Sequence, residues 1–298
     1  MLALDKFGCI FGIILYFFDF DPIWTPILGY LGPVWSAFGP ILDQYRPIVY
    51  QNGQIFHPDG FSDAYERFVE AGWNGIALDE DHGGGGMPWC VGLAVQEMMT
   101  AANMAFSLCP LLTQGAIDAI THHASETLQE IYLPKMISGE WSGTMNLTEP
   151  HAGSDVGALT TKATPGEDGT WLISGTKIFI TYGEHELTEN IVHLVLARTP
   201  DAPPGTKGIS LFIVPKFLVN EDGSLGERND LQVISSEHKI GIHASPTCVM
   251  SYGDEGGAIG WMVGEENSGM RAMFTICLLY TSDAADEGLG VDLGGRRI

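Results

Sequence analysis

The stretch Leu147-Thr148-Glu149-Pro150-His151-Ala152-Gly153-Ser154-Asp155-Val156-Gly157 marks the point at which the chain changes character. Pro150 and Gly153 end a strand-like run, while Thr148, Ser154 and the amides around Gly153 gather hydrogen-bond donors in one short turn. Such a loop can donate to the electron-rich edge of a flat ring or to an anionic group, which a uniform strand does not do. On residue chemistry alone, a Ser/Thr-containing turn between two strands is the simpler account.

Beyond Glu140 the apolar period is two, in short runs over 141–147, 170–174, 176–181, 191–197, 209–214, 247–252 and 259–263, separated by Gly, Pro, Asn and Asp. That spacing predicts an antiparallel sandwich or barrel. Ser174-Gly175-Thr176 reads as a tight bend between two strands, and Pro203-Pro204-Gly205 as a surface loop. Upstream, the period is helical. A helix is expected from Phe61, with Ser62 as N-cap, an apolar stripe of Tyr65, Phe68 and Val69, and Gly72 as its stop. The glycines 83–86 lack a following Gly-Lys-Ser/Thr, so they read as a chain reversal and not as a phosphate loop. Pro88 then suits the first turn of a helix through Leu93, Val95, Met98 and Met99. Ser125 and Gly139 suit the two ends of a later helix, which Pro134 should kink. The fold class is therefore α+β. An all-α domain over 46–140 precedes an antiparallel β-barrel over 141–265, and helical spacing resumes over 266–276.

Composition narrows the function. A formal charge of −23, from 37 acidic against 14 basic residues, argues against a nucleic-acid groove and against docking on anionic lipid. It does not exclude a phosphate-bearing ligand held by local amides and one or two cations. Cys9, Cys90, Cys109, Cys248 and Cys277 are odd in number and show no C-x-x-C spacing, which fits a reducing cytoplasm and neither disulfides nor a zinc site. No metal is expected. His122 and His123 are adjacent and diverge by about 100° on a helix, and His238 and His243 lack a third ligand.

The aliphatic residue, Thr-Glu, short spacer and Gly-Ser-Asp of 147–155 resemble the signature of the acyl-CoA dehydrogenase family. Gly175-Thr176-Lys177-Ile178-Phe179-Ile180-Thr181 resembles the family's next flavin-contacting strand, and the likeness runs from Gly60 to Phe274. Glu184-His185-Glu186-Leu187-Thr188-Glu189-Asn190-Ile191-Val192-His193 is similar to the large subgroup that includes 3-methylmercaptopropionyl-CoA dehydrogenases. The resemblance implies FAD as cofactor. Met145, Asn146, Leu147 and Thr148 would bind the flavin ring, Gly153 and Ser154 would lie near its pyrophosphate or the acyl-CoA, and Phe179, Ile180 and Thr181 would form the second wall. Phe179, where the family often has Trp, would stack on the ring, and Thr148 and Thr181 would donate hydroxyls near its reactive edge. Ser154 would contact the CoA of the substrate. The implied reaction is α,β-dehydrogenation of an acyl-CoA, with electrons passed to an electron-transfer flavoprotein or similar acceptor by a homo-oligomer. An oxidase of the same fold, or a binding protein that has lost its flavin, are the competing readings.

The family's catalytic base is a Glu of a C-terminal helical domain, which is expected to be missing here. Glu149, followed by a proline in a turn, is not expected to serve as that base. From Cys277 the chain departs from the family and resembles translated adapter read-through, so 277–298 reads as a non-native tail. Residues 1–45 are apolar, but the uncharged run 7–18 is about half a membrane span. The run 22–42 carries four prolines and three glycines, which suit a spanning helix poorly. That segment reads either as a docked helical hairpin or as a divergent N-terminus.

Overall fold

The computed structural model describes residues 47–220 and 222–281. The apolar segment 1–45 and the tail from 282 onward lie outside the described residues. The elements in order are β1 (Val49–Gln51), β2 (Gln54–Phe56), α1 (Phe61–Glu70), α2 (Trp89–Ala102), α3 (Met104–His123), α4 (Glu126–Ser138), β3 (Trp141–Asn146), β4 (Lys162–Pro165), β5 (Trp171–Thr181), β6 (Asn190–Ala197), β7 (Ser210–Pro215), β8 (Phe217–Val219), β9 (Leu225–Arg228), β10 (Leu231–Ser236), β11 (Thr247–Tyr252), β12 (Ala258–Val263) and α5 (Gly269–Thr281).

The helices follow their sequence signals, with two corrections. Helix α1 is capped by Gly60 at φ +89° with no side-chain bond, so Ser62 is not its N-cap. The region is also not all-α, because Asn52 and Gly53, both at positive φ, turn β1 into β2 as a hairpin. Ile55 of that hairpin joins the core between the strands. The glycines 83–86 do reverse the chain, with Gly85 donating to Gly75 and Met87 to Ile76. Asn103 ends α2 and accepts from Phe106 N at 3.0 Å to begin α3. Ser125 and Gly139 (φ +88°) bracket α4 as expected. Helix α3 is long and apolar enough to span a membrane, yet 72% of its apolar window is buried inside the fold, which marks a core helix.

Eight strands form one sheet in the order β10-β11-β5-β12-β7-β6-β3, with β4 beside β5. The expected antiparallel barrel needs correction on three points. The pairing of β3 with β6 is parallel. Ser174-Gly175-Thr176 is not a hairpin bend, since β5 runs unbroken from Trp171 to Thr181 and changes partner near Gly175 (φ +152°), from β4 and β12 to β11. Nor does the sheet close by a ladder. Where β3 meets β5 the bonds are individual, with Thr144 Oγ1 donating to Thr181 O at 2.7 Å and Ile178 N to Thr148 O at 2.9 Å.

Every residue of β6 is buried because both of its faces are covered. Val192, Leu194 and Leu196 face α3 and α4 together with Leu211 and Ile213 of β7, whereas Val195 and Ala197 face the interior of the curved sheet with Phe212 and Val214. The helical layer is seated on β3 by close approach. A Cβ at Gly143 would stand 2.5 Å from Ala116 Cβ and 2.8 Å from Met136 Cε, and Gly143 N donates to Thr113 Oγ1 at 3.1 Å. Helix α5 begins at Gly269 and continues to Thr281, five residues past the expected limit of native sequence.

Gly143→Ala should therefore cost about 1–3 kcal/mol through overpacking, read from the urea midpoint. An unchanged midpoint would mean that α3 and β3 are not in this contact.

Candidate functional site

The open seam between β3 and β5 is the candidate site. Its cleft, of about 150 Å³, is lined by Leu112, Thr144, Met145, Leu147, Thr148, Phe179, Ile180 and Thr181. Six of the residues singled out from sequence thus share one surface: Met145, Leu147 and Thr148 on one wall, Phe179, Ile180 and Thr181 on the other. Asn146 is not among them. Its side chain is fully buried behind the wall, accepting from Tyr252 OH at 2.8 Å and lying 3.4 Å from His193 Nδ1. Gly153 and Ser154 are on an exposed loop just outside, where a Cβ on Gly153 would meet only Thr148 Cγ2, at 3.8 Å. Leu112, from α3, and Thr144 were not anticipated. Strand alternation groups Met145 with Leu147 and sets Thr144 on the other face, so it did not indicate Thr144, and no local pattern points to Leu112.

Phe179 owes its placement to a bulge. Ile180 pairs with Cys248 and Lys177 with Met250, so Ile178 and Phe179 together oppose Val249 alone. Phe179 takes φ +59°, a conformation uncommon for any non-glycine residue, and the residue is 58% exposed. A strained backbone that presents a large ring to solvent beside hydroxyl donors has the features of a ligand platform.

The opposite wall is held by a buried charge. Glu149, 2% exposed, accepts from Thr160 N and Oγ1 at 2.7 and 2.9 Å, from Thr161 N and Oγ1 at 3.0 and 2.6 Å, and from Lys177 Nζ at 2.9 Å. Burial by itself would raise the carboxyl, but the Lys177 ammonium and the Thr161 and Thr160 donors overcome it and hold Glu149 at about 2. Burial also pushes the Lys177 ammonium down, to about 8, against the pull of Glu149. Both groups are charged at neutral pH. Glu149 N and Ala152 N each bond the other residue's carbonyl, closing the Pro150-His151 turn. With its lone pairs committed, Glu149 is a structural anion and not a proton acceptor.

A larger depression, of about 510 Å³, lies between 159–164 and 198–200. It gathers none of the residues predicted from sequence except by adjacency to the loop. Its Arg198 is committed to the carbonyls of Leu159, Gly157, Pro203 and Gly205. The smaller cleft is the one with donors and an aromatic wall.

Residues 46–140 match the acyl-CoA dehydrogenase N-terminal domain and residues 144–254 the acyl-CoA dehydrogenase middle domain. A 3-methylmercaptopropionyl-CoA dehydrogenase of Ruegeria pomeroyi is 55% identical over 224 residues, 75% of this chain and 38% of that protein. A butyryl-CoA dehydrogenase of Syntrophomonas wolfei is 47% identical over 226 residues, 74% of this chain and 37% of that one. The chain thus spans less than two fifths of the length of either curated relative. Among solved structures, a butyryl-CoA dehydrogenase from Megasphaera elsdenii shares the fold at a TM-score of 0.62 and 22% identity, covering 91% of this chain and 70% of that one.

The Glu149 pair sets a pH test. A carboxyl held below its ordinary value of ~4.3 contributes stability that is fully present above that value and lost as pH falls toward 2. Glu149→Gln, which strands Lys177, should cost about 3–5 kcal/mol at pH 7. The gap to the wild type should close between about pH 4 and pH 2 in urea titrations. A gap that stays constant over that range would refute the assignment.

Proposed function

The chain belongs to the acyl-CoA dehydrogenase family, and from that premise we propose that its seam cleft holds the flavin of FAD for α,β-dehydrogenation of an acyl-CoA thioester. The observation that carries the reading is the juxtaposition of an exposed, strained Phe179 with Thr148 and Thr181 in one cleft. The residues present suit the group. The Phe179 ring offers a stacking face, the two threonines offer hydroxyl donors, and the space about Gly153 leaves the backbone open to a pyrophosphate or to CoA. Ser154, exposed beside it, is the residue we assign to the CoA of the substrate.

The chemistry the group supplies when bound is acceptance of a hydride from the acyl β carbon. The chain's own share is placement. Met145 and Leu147 on one wall and Ile180 on the other supply the apolar lining of the cleft, and Thr148 and Thr181 would fix where a ring edge can lie. Removal of the α proton needs a carboxylate poised near neutrality. Among the described residues no such group lines the cleft, because Glu149, behind it, is locked as an anion. We assign that step to a Glu outside the described residues, and with it the oligomeric assembly and the passage of electrons to an electron-transfer flavoprotein or similar acceptor.

Two measurements test the reading. Phe179→Gly removes the ring but suits φ +59°, so the variant should fold with no loss of stability while FAD affinity, followed by flavin fluorescence, falls about two- to tenfold. Unchanged affinity would overturn the platform. The 298-residue chain loaded with FAD should keep its flavin absorbance when butyryl-CoA is added, whereas bleaching would place a base within these 298 residues.

A further inference from the structure

Lys177 does more than neutralise Glu149. Its side chain is fully buried, and besides Glu149 it donates to the carbonyl of Leu147 at 3.1 Å. That carbonyl belongs to the peptide whose N–H is Thr148's, and Thr148 lines the cleft. No peptide among the described residues is cis, so with the carbonyl turned toward Lys177 the N–H points the opposite way. No acceptor for Thr148 N–H exists among the described residues, although the adjacent Glu149 N–H and the Thr148 carbonyl are both engaged, by Ala152 O and Ile178 N. One peptide is thus gripped at its oxygen by a buried cation and left open at its hydrogen, beside the proposed ring site.

We propose that Lys177 is a positioning residue that orients and polarises the Leu147–Thr148 peptide, so that Thr148 N–H is a strengthened donor to the edge of the bound flavin, favouring its electron-rich reduced form. A cation bonded to a peptide oxygen draws electron density from the nitrogen and strengthens the N–H as a donor, and in a buried setting that polarisation is weakly screened. The donor is fixed before any ligand arrives, so no reorganisation accompanies the build-up of negative charge on the ring. The cation can be buried there because Glu149, through four other donors, balances its charge. The proposal rests on the flavin reading above and specifies which backbone atom acts within it.

Lys177→Met alone would strand Glu149, so the test uses the double variant Lys177→Met/Glu149→Gln, which keeps volume and buries no charge. Both the wild-type chain and the double variant are loaded with FAD, and the affinities for oxidised and for dithionite-reduced FAD are measured together with thermal unfolding. The double variant should melt near the wild type, hold oxidised FAD with similar affinity, and bind reduced FAD about tenfold less tightly, equivalent to about a 30 mV fall in the two-electron potential. If both affinities fall by the same factor, or neither changes, Lys177 is merely structural and the inference is overturned while the flavin site stands. If the wild-type chain binds FAD in neither state, the flavin reading itself fails and this inference with it.

Discussion

The cleft depends on one carboxylate. Glu149 joins three stretches that are distant in sequence: the strand-end loop, the Thr160-Thr161 segment leading into β4, and Lys177 on β5. An isolated buried carboxylate would cost many kcal/mol, so the arrangement persists only because all its partners are satisfied at once. That makes it an all-or-none latch. While both charges are in place, Thr148 stands across from Phe179; loss of one charge alone would leave the other buried and unpaired and pull the loop from its register against β5.

The latch is needed because the sheet does not close on itself. In a complete barrel the ladder between neighbouring strands would fix their separation. Here β3 enters as a parallel partner of β6 and presents its other edge to β5 without a ladder. Parallel pairing requires a long crossover and cover on both faces, which explains why β6 is buried throughout and why α3 lies against Gly143. The gap left at the seam is wide enough for side chains and a ligand edge, and only isolated bonds and the Glu149–Lys177 pair span it. The same topology that denies the sheet closure therefore creates the cleft.

Much of this was legible in the sequence. Ser125, Gly139 and the glycines 83–86 act through local backbone rules, and the structure obeys them. The motif at 147–155 and the strand at 175–181 led to six residues that share the cleft. What failed depends on partners remote in sequence. The parallel β3–β6 pairing leaves no mark on β3, whose residues are mostly small or polar, and on β6 only a largely apolar run; Asn146 turns inward because Tyr252 and His193 wait there, 106 and 47 residues away. Two misses were avoidable. Asn52-Gly53 between short alternating runs is a strong hairpin signal. Lys177, a lone cation amid apolar strand residues, called for a buried counter-charge, and Glu149 was the acidic residue at hand.

The two walls of the cleft solve different problems, and their energetics differ accordingly. The Thr148 wall is held by satisfied buried polar groups, so it is rigid and costly to disturb. The Phe179 wall instead carries strain of order 1–3 kcal/mol in its backbone and leaves a large apolar ring exposed. Neither feature stabilises the chain by itself, and glycine at 179 would relieve both. A side chain that costs stability on two counts is explained by what it covers when the cleft is filled. Under the proposed reading, the rigid wall would set the position of a flat ligand, and the strained wall would recover its cost by stacking on it.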